Sequence, residues 1–365
     1  MKNEAPCLLV DASIYIFQYY FSLPDHWYSK KDGWPTAAVY GYTAFIVRLL
    51  EQQFLTPLFL GREAPEKKPI ASQRRQRIAA CFDESLGSCF RNKIYPGYKC
   101  SRALPDDALA FQLKACRRVT ELLGISSYSS KTHEADDLLG SLYQPFMRSV
   151  QPVAILTRDK DLAQLLRRPQ DFLWDYLGKT QSVKAKSVLL DAVSSGSVKS
   201  IISEPITPEL IGTRYFSADI QEKFGVAPNQ LIDYLALVGD SIDDIPGVPG
   251  IGSKTAQQLL SHFGSIDAIF KSLDRNSKEI VGLPIRGAKS LACKLVEYDE
   301  QIKIAQQLAT IVTDLKLISS VNELQWQEPN WSSLKQFCTQ MGFPKLFKRI
   351  QILQPHYPSE KEPTK

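Results

Sequence analysis

Short apolar runs that stop on an acid, each followed by residues of helical period, set the pattern of the first half of the chain. Cys7–Val10 is such a run, ending at Asp11 and leading into an apolar and aromatic helix to Phe21. Residues from His26 to Pro35 are rich in aromatic and turn residues and read as a loop. Val39, Tyr42, Phe45, Ile46, Leu49 and Leu50 then recur at helical spacing, which predicts a helix over Thr36–Gln53. Ile78–Phe82 is a second buried strand ending on Asp83, and Val153–Thr157 a third, followed by Arg158-Asp159-Lys160-Asp161 and an apolar helix through Leu166. Between them lie an amphipathic helix over Asp106–Leu123, stopped by Gly124, and a short strand near Ile125–Tyr128. Thr132 is placed to cap the next helix, which carries Glu134, Asp136 and Asp137. Strands alternating with helices predict a parallel sheet covered on both faces.

The pattern changes further on. From Lys179 to Pro208 the chain is rich in Ser, Val and Lys with weak periodicity, which reads as a surface insert separating two units. Helical stretches follow at Phe216–Phe224, Pro228–Val238, Ser253–Phe263, Ile266–Leu273, Ala288–Leu308 and Trp331–Ile352. The expected division is a sheet unit over 1–178, an insert over 179–210, a helical unit over 211–350 and a disordered tail over 351–365. A second, basic insert is expected at about 57–77, with Arg62, Lys67, Lys68, Arg74, Arg75 and Arg77.

Composition narrows the class without deciding it. The 365 residues are 44% hydrophobic and 23% charged, as in a water-soluble globular protein. A net charge of +5 is compatible with a nucleic-acid partner and does not require one. Its distribution is more telling: residues 85–105 hold Arg91, Lys93, Lys99 and Arg102 and no acid. Cations interleaved with Phe90, Tyr95 and Tyr98 suit a nucleic-acid strand, charge following phosphates and rings stacking on bases. Seven scattered cysteines without a CxxC pair read as thiols of a reducing cytoplasm. No stretch has the layout of a signal peptide or a membrane span. The four histidines lie far apart, so a His-based metal site finds no support.

The acids carry the chemistry. In an open parallel α/β sheet, ligands bind beyond the carboxyl ends of the strands. Asp11, Asp83, Asp159 and Asp161 should therefore meet at one edge, joined by Glu134, Asp136 and Asp137 from one helix start and by Asp240 and Asp243 further along. Each alone could simply cap a helix or favour its dipole. Together they would repel one another unless a counter-charge lay between them. Oxygen donors without Cys or His favour hard cations, Mg²⁺ or Mn²⁺. Nine acids exceed the needs of one ion, so a pair is expected, about 3.5–4 Å apart in sites that serve displacement at phosphorus. Beyond Asp240 and Asp243, Gly247 to Thr255 reads Gly-Val-Pro-Gly-Ile-Gly-Ser-Lys-Thr, a glycine turn opening a helix near Ser253. Such a turn brings backbone N–H groups up to an anion.

Leu8-Leu9-Val10-Asp11, Phe82-Asp83, Phe90-Arg91, Gly97-Tyr98-Lys99, Glu134-Ala135-Asp136-Asp137, Asp159-Lys160-Asp161-Leu162 and Gly239-Asp240 through Thr255 occur in the order seen in 5′→3′ exonucleases. The chain resembles the N-terminal nuclease domain of bacterial DNA polymerase I and its flap-endonuclease relatives over about residues 6 to 345, apart from the two inserts. The resemblance implies a PIN-like α/β nuclease domain, with an arch at about 85–105, followed by a helical domain with a helix–hairpin–helix-type motif at about 232–262. It implies that Asp11, Asp83, Glu134 and Asp136 hold a first metal ion and that Asp137, Asp159, Asp161, Asp240 and Asp243 complete the ligand set, some through water. Lys99 and Arg91 would act on the scissile phosphate, with Arg102 and Tyr98 contacting DNA. Gly250, Gly252, Ser253, Lys254 and Thr255 would grip duplex phosphates, with K⁺ on backbone carbonyls of the turn.

The implied activity is 5′→3′ exonuclease and 5′-flap endonuclease action on DNA and on RNA primers at RNA–DNA junctions, by a monomeric, stand-alone protein of a bacterial-type cytoplasm, near the nucleoid. Asp244 stands where many polymerase-linked relatives have Asn. A non-catalytic binder of branched DNA and a PIN-like ribonuclease are the alternatives, the glycine turn speaking against the second.

Overall fold

The computed structural model describes residues 5–59, 76–177, 212–276, 278–285 and 287–356. Most of the basic insert, the Ser-rich insert and the end of the tail lie outside these residues.

Six strands form one sheet in the order β3-β2-β1-β4-β5-β6: β1 (Cys7–Asp11), β2 (Ile78–Asp83), β3 (Ser126–Ser130), β4 (Val153–Leu156), β5 (Phe172–Asp175) and β6 (Thr213–Tyr215). Every pairing is parallel except β5 with β6. All five residues of β1 and all four of β4 are buried, because a parallel strand covered on both faces has no solvent side. Their side chains alternate between two cores. Cys7, Leu9, Cys81 and Ile155 face one, and Leu8, Val10, Ala80 and Leu156 face the other.

The second face is covered by α1 (Ala12–Ser22), α2 (Ala37–Phe59) and α4 (Asp107–Leu122), and the first by α5 (Ala135–Tyr143). A one-turn helix, α3 (Arg91–Ile94), opens the basic segment. The helical region contains α6 (Ser217–Phe224), α7 (Leu231–Val238), α8 (Ser253–Phe263), α9 (Ile266–Asn276), α10 (Lys278–Val281), α11 (Ala288–Glu297) and α12 (Asp299–Ala309). Its core is continuous with that of α5. The periodic stretch 288–308 is thus two helices, broken at Tyr298.

The last helices, α13 (Trp331–Gln340) and α14 (Pro344–Ile350), pack on the opposite face of the sheet, where Leu334, Phe337 and Ile350 join the core of α1 and α2. The chain crosses back past Gly124, whose φ is +76° and whose added Cβ would strike the Gln327 carbonyl. Trp326 Nε1 donates to the Leu123 carbonyl at 2.7 Å on the same crossing. Residues 331–350 therefore complete the sheet layer rather than the helical unit. Sequence periodicity cannot show which face an amphipathic helix meets.

Two local expectations change. The cap of α5 is Glu134, not Thr132; Asp137 accepts the Glu134 N–H at 3.0 Å in a capping box. The segment Asp161–Leu165 is a 3-10 turn rather than an α-helix. Helix α8 begins at Ser253 as its pattern predicts, with Gly252 before it. Strands β5 and β6 are additional to those expected from the sequence. They are short, and β6 follows directly on the Ser-rich insert.

Candidate active site

The strand order reverses around β1, which pairs with β2 on one side and β4 on the other. This is the switch point at which doubly wound sheets hold their ligands. Asp11 ends β1 and is 5% exposed. The Thr157 hydroxyl, just past β4, donates to Asp11 Oδ2 at 2.8 Å and bridges the two strand ends. Thr157 also accepts the Asp159 N–H at 2.9 Å, and Asp159 Oδ1 accepts the Asp161 N–H at 2.8 Å. Asp83, at the end of β2, accepts the N–H of Ala135 at 2.7 Å, tying β2 to the start of α5.

These carboxyls are short of counter-charge. Burial, with Asp83 and Asp159 nearby, raises Asp11 to about 7. Burial and Asp159 raise Asp161 to about 8. Asp136 is pushed well above the carboxylate range by burial and by Asp159 and Asp11. Asp83 and Asp159 are also raised, burial leading in both. Like charges and desolvation thus act together on five acids from three strand ends and one helix start. The Oδ1 atom of Asp161 is buried without a hydrogen-bond partner. Oxygen donors lacking partners in an electronegative pocket fit a hard divalent cation. No three of the described His, Cys, Asp and Glu side chains stand as a ready-made metal site.

The other acids are held by cations. Lys99 Nζ lies 2.6 Å from Glu134 Oε1 and 3.3 Å from Asp243 Oδ2. Burial alone would lower the Lys99 ammonium, but Glu134, Tyr98 and Asp243 outweigh it and raise it. Arg102 Nη2 donates to Asp243, and Lys160 Nζ lies 3.0 Å from Asp240 Oδ2. The basic segment is laced to the 240–245 loop further: Lys99 N donates to the Asp243 carbonyl at 3.0 Å, and Ser101 N and Oγ to Asp244 Oδ2 at 3.0 and 2.7 Å. Lys99 (φ +50°) and Asp244 (φ +54°) adopt left-handed backbone. Asp accepts that conformation at low cost.

Three expected roles change. Arg91 is 2% exposed and points inward. Its guanidinium makes a bidentate pair with Asp137 at 2.7 and 2.8 Å, reaches Glu134 Oε2 at 3.3 Å and donates to the carbonyls of Leu308 and Thr310. With its donors engaged, Arg91 does not present a cation to a phosphate. Asp137 is fully buried, and both its oxygens are occupied by Arg91 and by the N–H groups of Glu134 and Val312, so it does not open onto the acidic pocket. Tyr98 is 3% exposed and its hydroxyl donates to Glu134 at 2.9 Å, so its ring is core and not a stacking surface. The i, i+3 spacing that groups Glu134 with Asp137 marks a capping box.

The glycine turn lies beyond Asp243. Gly239 has φ +81°, and a Cβ on Gly247 would strike the Val238 carbonyl, so the loop closes only with glycines. Gly250, Gly252, Ser253 and Lys254 are exposed and Thr255 half-buried at the N-terminus of α8. Gln301 Nε2 donates to the Gly247 carbonyl at 2.7 Å and Lys294 Nζ to that of Pro249 at 2.9 Å. Sequence reading missed Thr157, which holds Asp11, and Lys160, which sits within the Asp159–Asp161 run and reaches Asp240. Beside the acids is a cavity of about 290 Å³ lined in part by Thr157, Arg158, Lys160, Asp175 and Lys223.

Residues 6–192 match the model of the 5′-3′ exonuclease N-terminal resolvase-like domain. The chain belongs to the 5′–3′ exonuclease family. Residues 226–332 match the family's C-terminal SAM fold. The chain is 28% identical to the 5′-3′ exonuclease of Buchnera aphidicola subsp. Schizaphis graminum, over 93% of this chain and 98% of that one. It is 32% identical to DNA polymerase I of Pseudomonas aeruginosa over 93% of its own length, but spans only 31% of that protein. Among solved structures, the zinc-bound 5′-exonuclease of bacteriophage T5 shares the fold with a TM-score of 0.53 at 17% identity, covering 96% of this chain and 98% of its own. The catalytic core of Rad2 in complex with DNA substrate does so at 0.54 and 16%, covering 97% and 93%. No described helix of this exonuclease-family chain is long and apolar enough to cross a membrane.

Proposed function

We propose that this member of the family is a divalent-metal phosphodiesterase that cuts DNA, and RNA primers paired to DNA, at 5′ ends and 5′ flaps. The observation that carries the reading is the convergence of Asp11, Asp83, Asp136, Asp159 and Asp161 in one pocket that raises all five. Such a pocket attracts Mg²⁺ or Mn²⁺, and these five acids would hold the ions, with Glu134, Asp240 and Asp243 at the margin. Bound there, a pair of ions supplies an activated water and charge neutralisation at phosphorus. Thr157 orients the Asp11 carboxyl, and Ala135 N–H that of Asp83. Lys99, beside Glu134 and Asp243, is a cation at the edge of the pocket and suits a phosphate oxygen on which charge develops. Arg102, 40% exposed beside Asp243, suits a contact with a strand phosphate.

The exposed turn from Gly250 to Lys254 supports a grip on duplex phosphates at the start of α8, with a monovalent ion such as K⁺ on turn carbonyls that Gln301 and Lys294 do not already occupy. The T5 and Rad2 relatives were solved with zinc and with DNA, respectively, which accords with both ligands.

The test is a 5′-labelled flap duplex incubated with Mg²⁺. Cleavage near the junction that stops on chelation is expected. Cleavage that survives chelation, or survives Asp136→Asn combined with Asp159→Asn, refutes the mechanism. Salt-sensitive binding without cleavage in either metal would favour a non-catalytic binder of branched DNA.

A further inference from the structure

Helix α12 links the two ends of the molecule that the proposed function uses. Its 11 residues span about 16 Å. Near its start, Gln301 holds the Gly247 carbonyl of the glycine turn at 2.7 Å. Midway, Gln306 Nε2 donates to Asp233 Oδ1 at 2.7 Å, while Asp233 Oδ2 accepts the Ile266 N–H that opens α9. The last carbonyls of a helix have no partner within it and need one from elsewhere. Here the partners come from the acid-bearing layer. Arg91 Nε donates to the Leu308 carbonyl at 2.8 Å and Nη2 to that of Thr310 at 2.7 Å. Gln164, 5% exposed, donates to the Ala309 carbonyl at 3.0 Å and accepts the Ile311 N–H at 3.1 Å. Asp137 accepts the Val312 N–H at 2.9 Å.

The same Arg91–Asp137 pair fixes the start of α5. Asp137 Oδ2 accepts the Glu134 N–H while Arg91 touches Glu134 Oε2. Gly140 lets the strap lie against α5, since a Cβ there would come within 2.7 Å of Ile311 and 2.9 Å of the Val312 carbonyl. Segment 308–312 is thus pinned by three buried side chains, two of which also set where Glu134 and Asp136 stand. Gln164 adds a third fixing, three residues after Asp161.

We infer that Arg91, Gln164 and Gln301 are positioning residues that register the acid pocket against the glycine turn through α12. By this registration, a duplex held at the turn is presented at a fixed distance from the acids. It would favour cutting beside a duplex over cutting an isolated single strand. The inference rests on the nuclease reading above and deepens it.

The experiment compares kcat and KM of the full chain, Gln164→Leu and Gln301→Leu on a 5′-flap duplex and on an unpaired oligonucleotide of the same sequence, in Mg²⁺. Misplacement by about 1 Å costs on the order of a hundredfold, so a fall in flap kcat of about tenfold or more is expected in both variants. KM for the flap should change little, because neither residue is on the exposed face of the turn, and cleavage of the unpaired strand should change little. The ratio between substrates therefore collapses. A preserved ratio in both variants, with melting temperatures near that of the parent, overturns the inference. So does an equal loss on both substrates. Gln301 is half-buried, which keeps the comparison decisive should Gln164→Leu fail to fold. If the parent cleaves neither substrate, the nuclease reading itself fails; if it cleaves both alike, only the registration does.

Discussion

Asp11→Asn should stabilise the metal-free protein while abolishing its activity. Asp11 is raised from an ordinary value of 3.8 to about 7, chiefly by burial and then by Asp83 and Asp159. Below about pH 4 the group is protonated in both the folded and the unfolded chain and has no effect. As pH rises towards 7, the unfolded chain releases its proton first, so stability is lost through this window and stays lost above it. A shift of 7 − 3.8, about 3 units, corresponds to at most about 4 kcal/mol at pH 8 and about 2 kcal/mol at pH 5. The Asn amide keeps the Thr157 hydroxyl bond and removes the charge, so the variant should recover much of this difference. The assay is thermal unfolding of both proteins in EDTA at pH 5 and pH 8. The variant should melt higher, with the gap wider at pH 8. A divalent ion at pH 8 should raise the parent more than the variant and narrow or reverse the gap. A variant that melts at or below the parent at pH 8 without metal, or a gap indifferent to pH, would show that the pocket is not strained by its own charge.

Other substitutions test separate parts of the same account. Asp137→Asn strips the charge partner from a buried guanidinium and should cost about 3–5 kcal/mol in urea unfolding; a fully stable but inactive variant would return Asp137 to the metal ligands. Lys99→Ala should lower flap cleavage at saturating DNA by a hundredfold or so, on the scale of a lost oxyanion donor, with binding in Ca²⁺ nearly unchanged; a loss confined to binding would remove it from the chemistry. Asp244→Asn should be near neutral in stability, whereas Asp244→Val should melt lower, because it loses both bonds from Ser101 and φ +54° suits Asp and Asn and not a β-branched residue; equal melting temperatures would refute this account of the loop.

The order of elements was written in the chain. Apolar runs of four or five residues ending on acids, each followed by a helical pattern, read as buried parallel strands, and the rule that ligands sit at carboxyl ends gathers Asp11, Asp83, Asp159 and Asp161 before any coordinate is known. The glycine turn was equally legible, since its φ values and close approaches require glycine at fixed positions. Which face each helix covers was not, because α13 and α14 are amphipathic in a way that fits either core. Nor could sequence divide the acids and cations into those that face the pocket and those that hold it in place. Asp136 and Asp137 are neighbours in the chain, yet a helix turns successive residues about 100° apart, so one meets the acids and the other meets Arg91. Arg91 and Lys99 carry the same charge on the same basic segment. Only the tertiary packing of residues 308–312 against α5 buries the first and leaves the second at the pocket, because burial is a property of what arrives from a distance and not of local pattern.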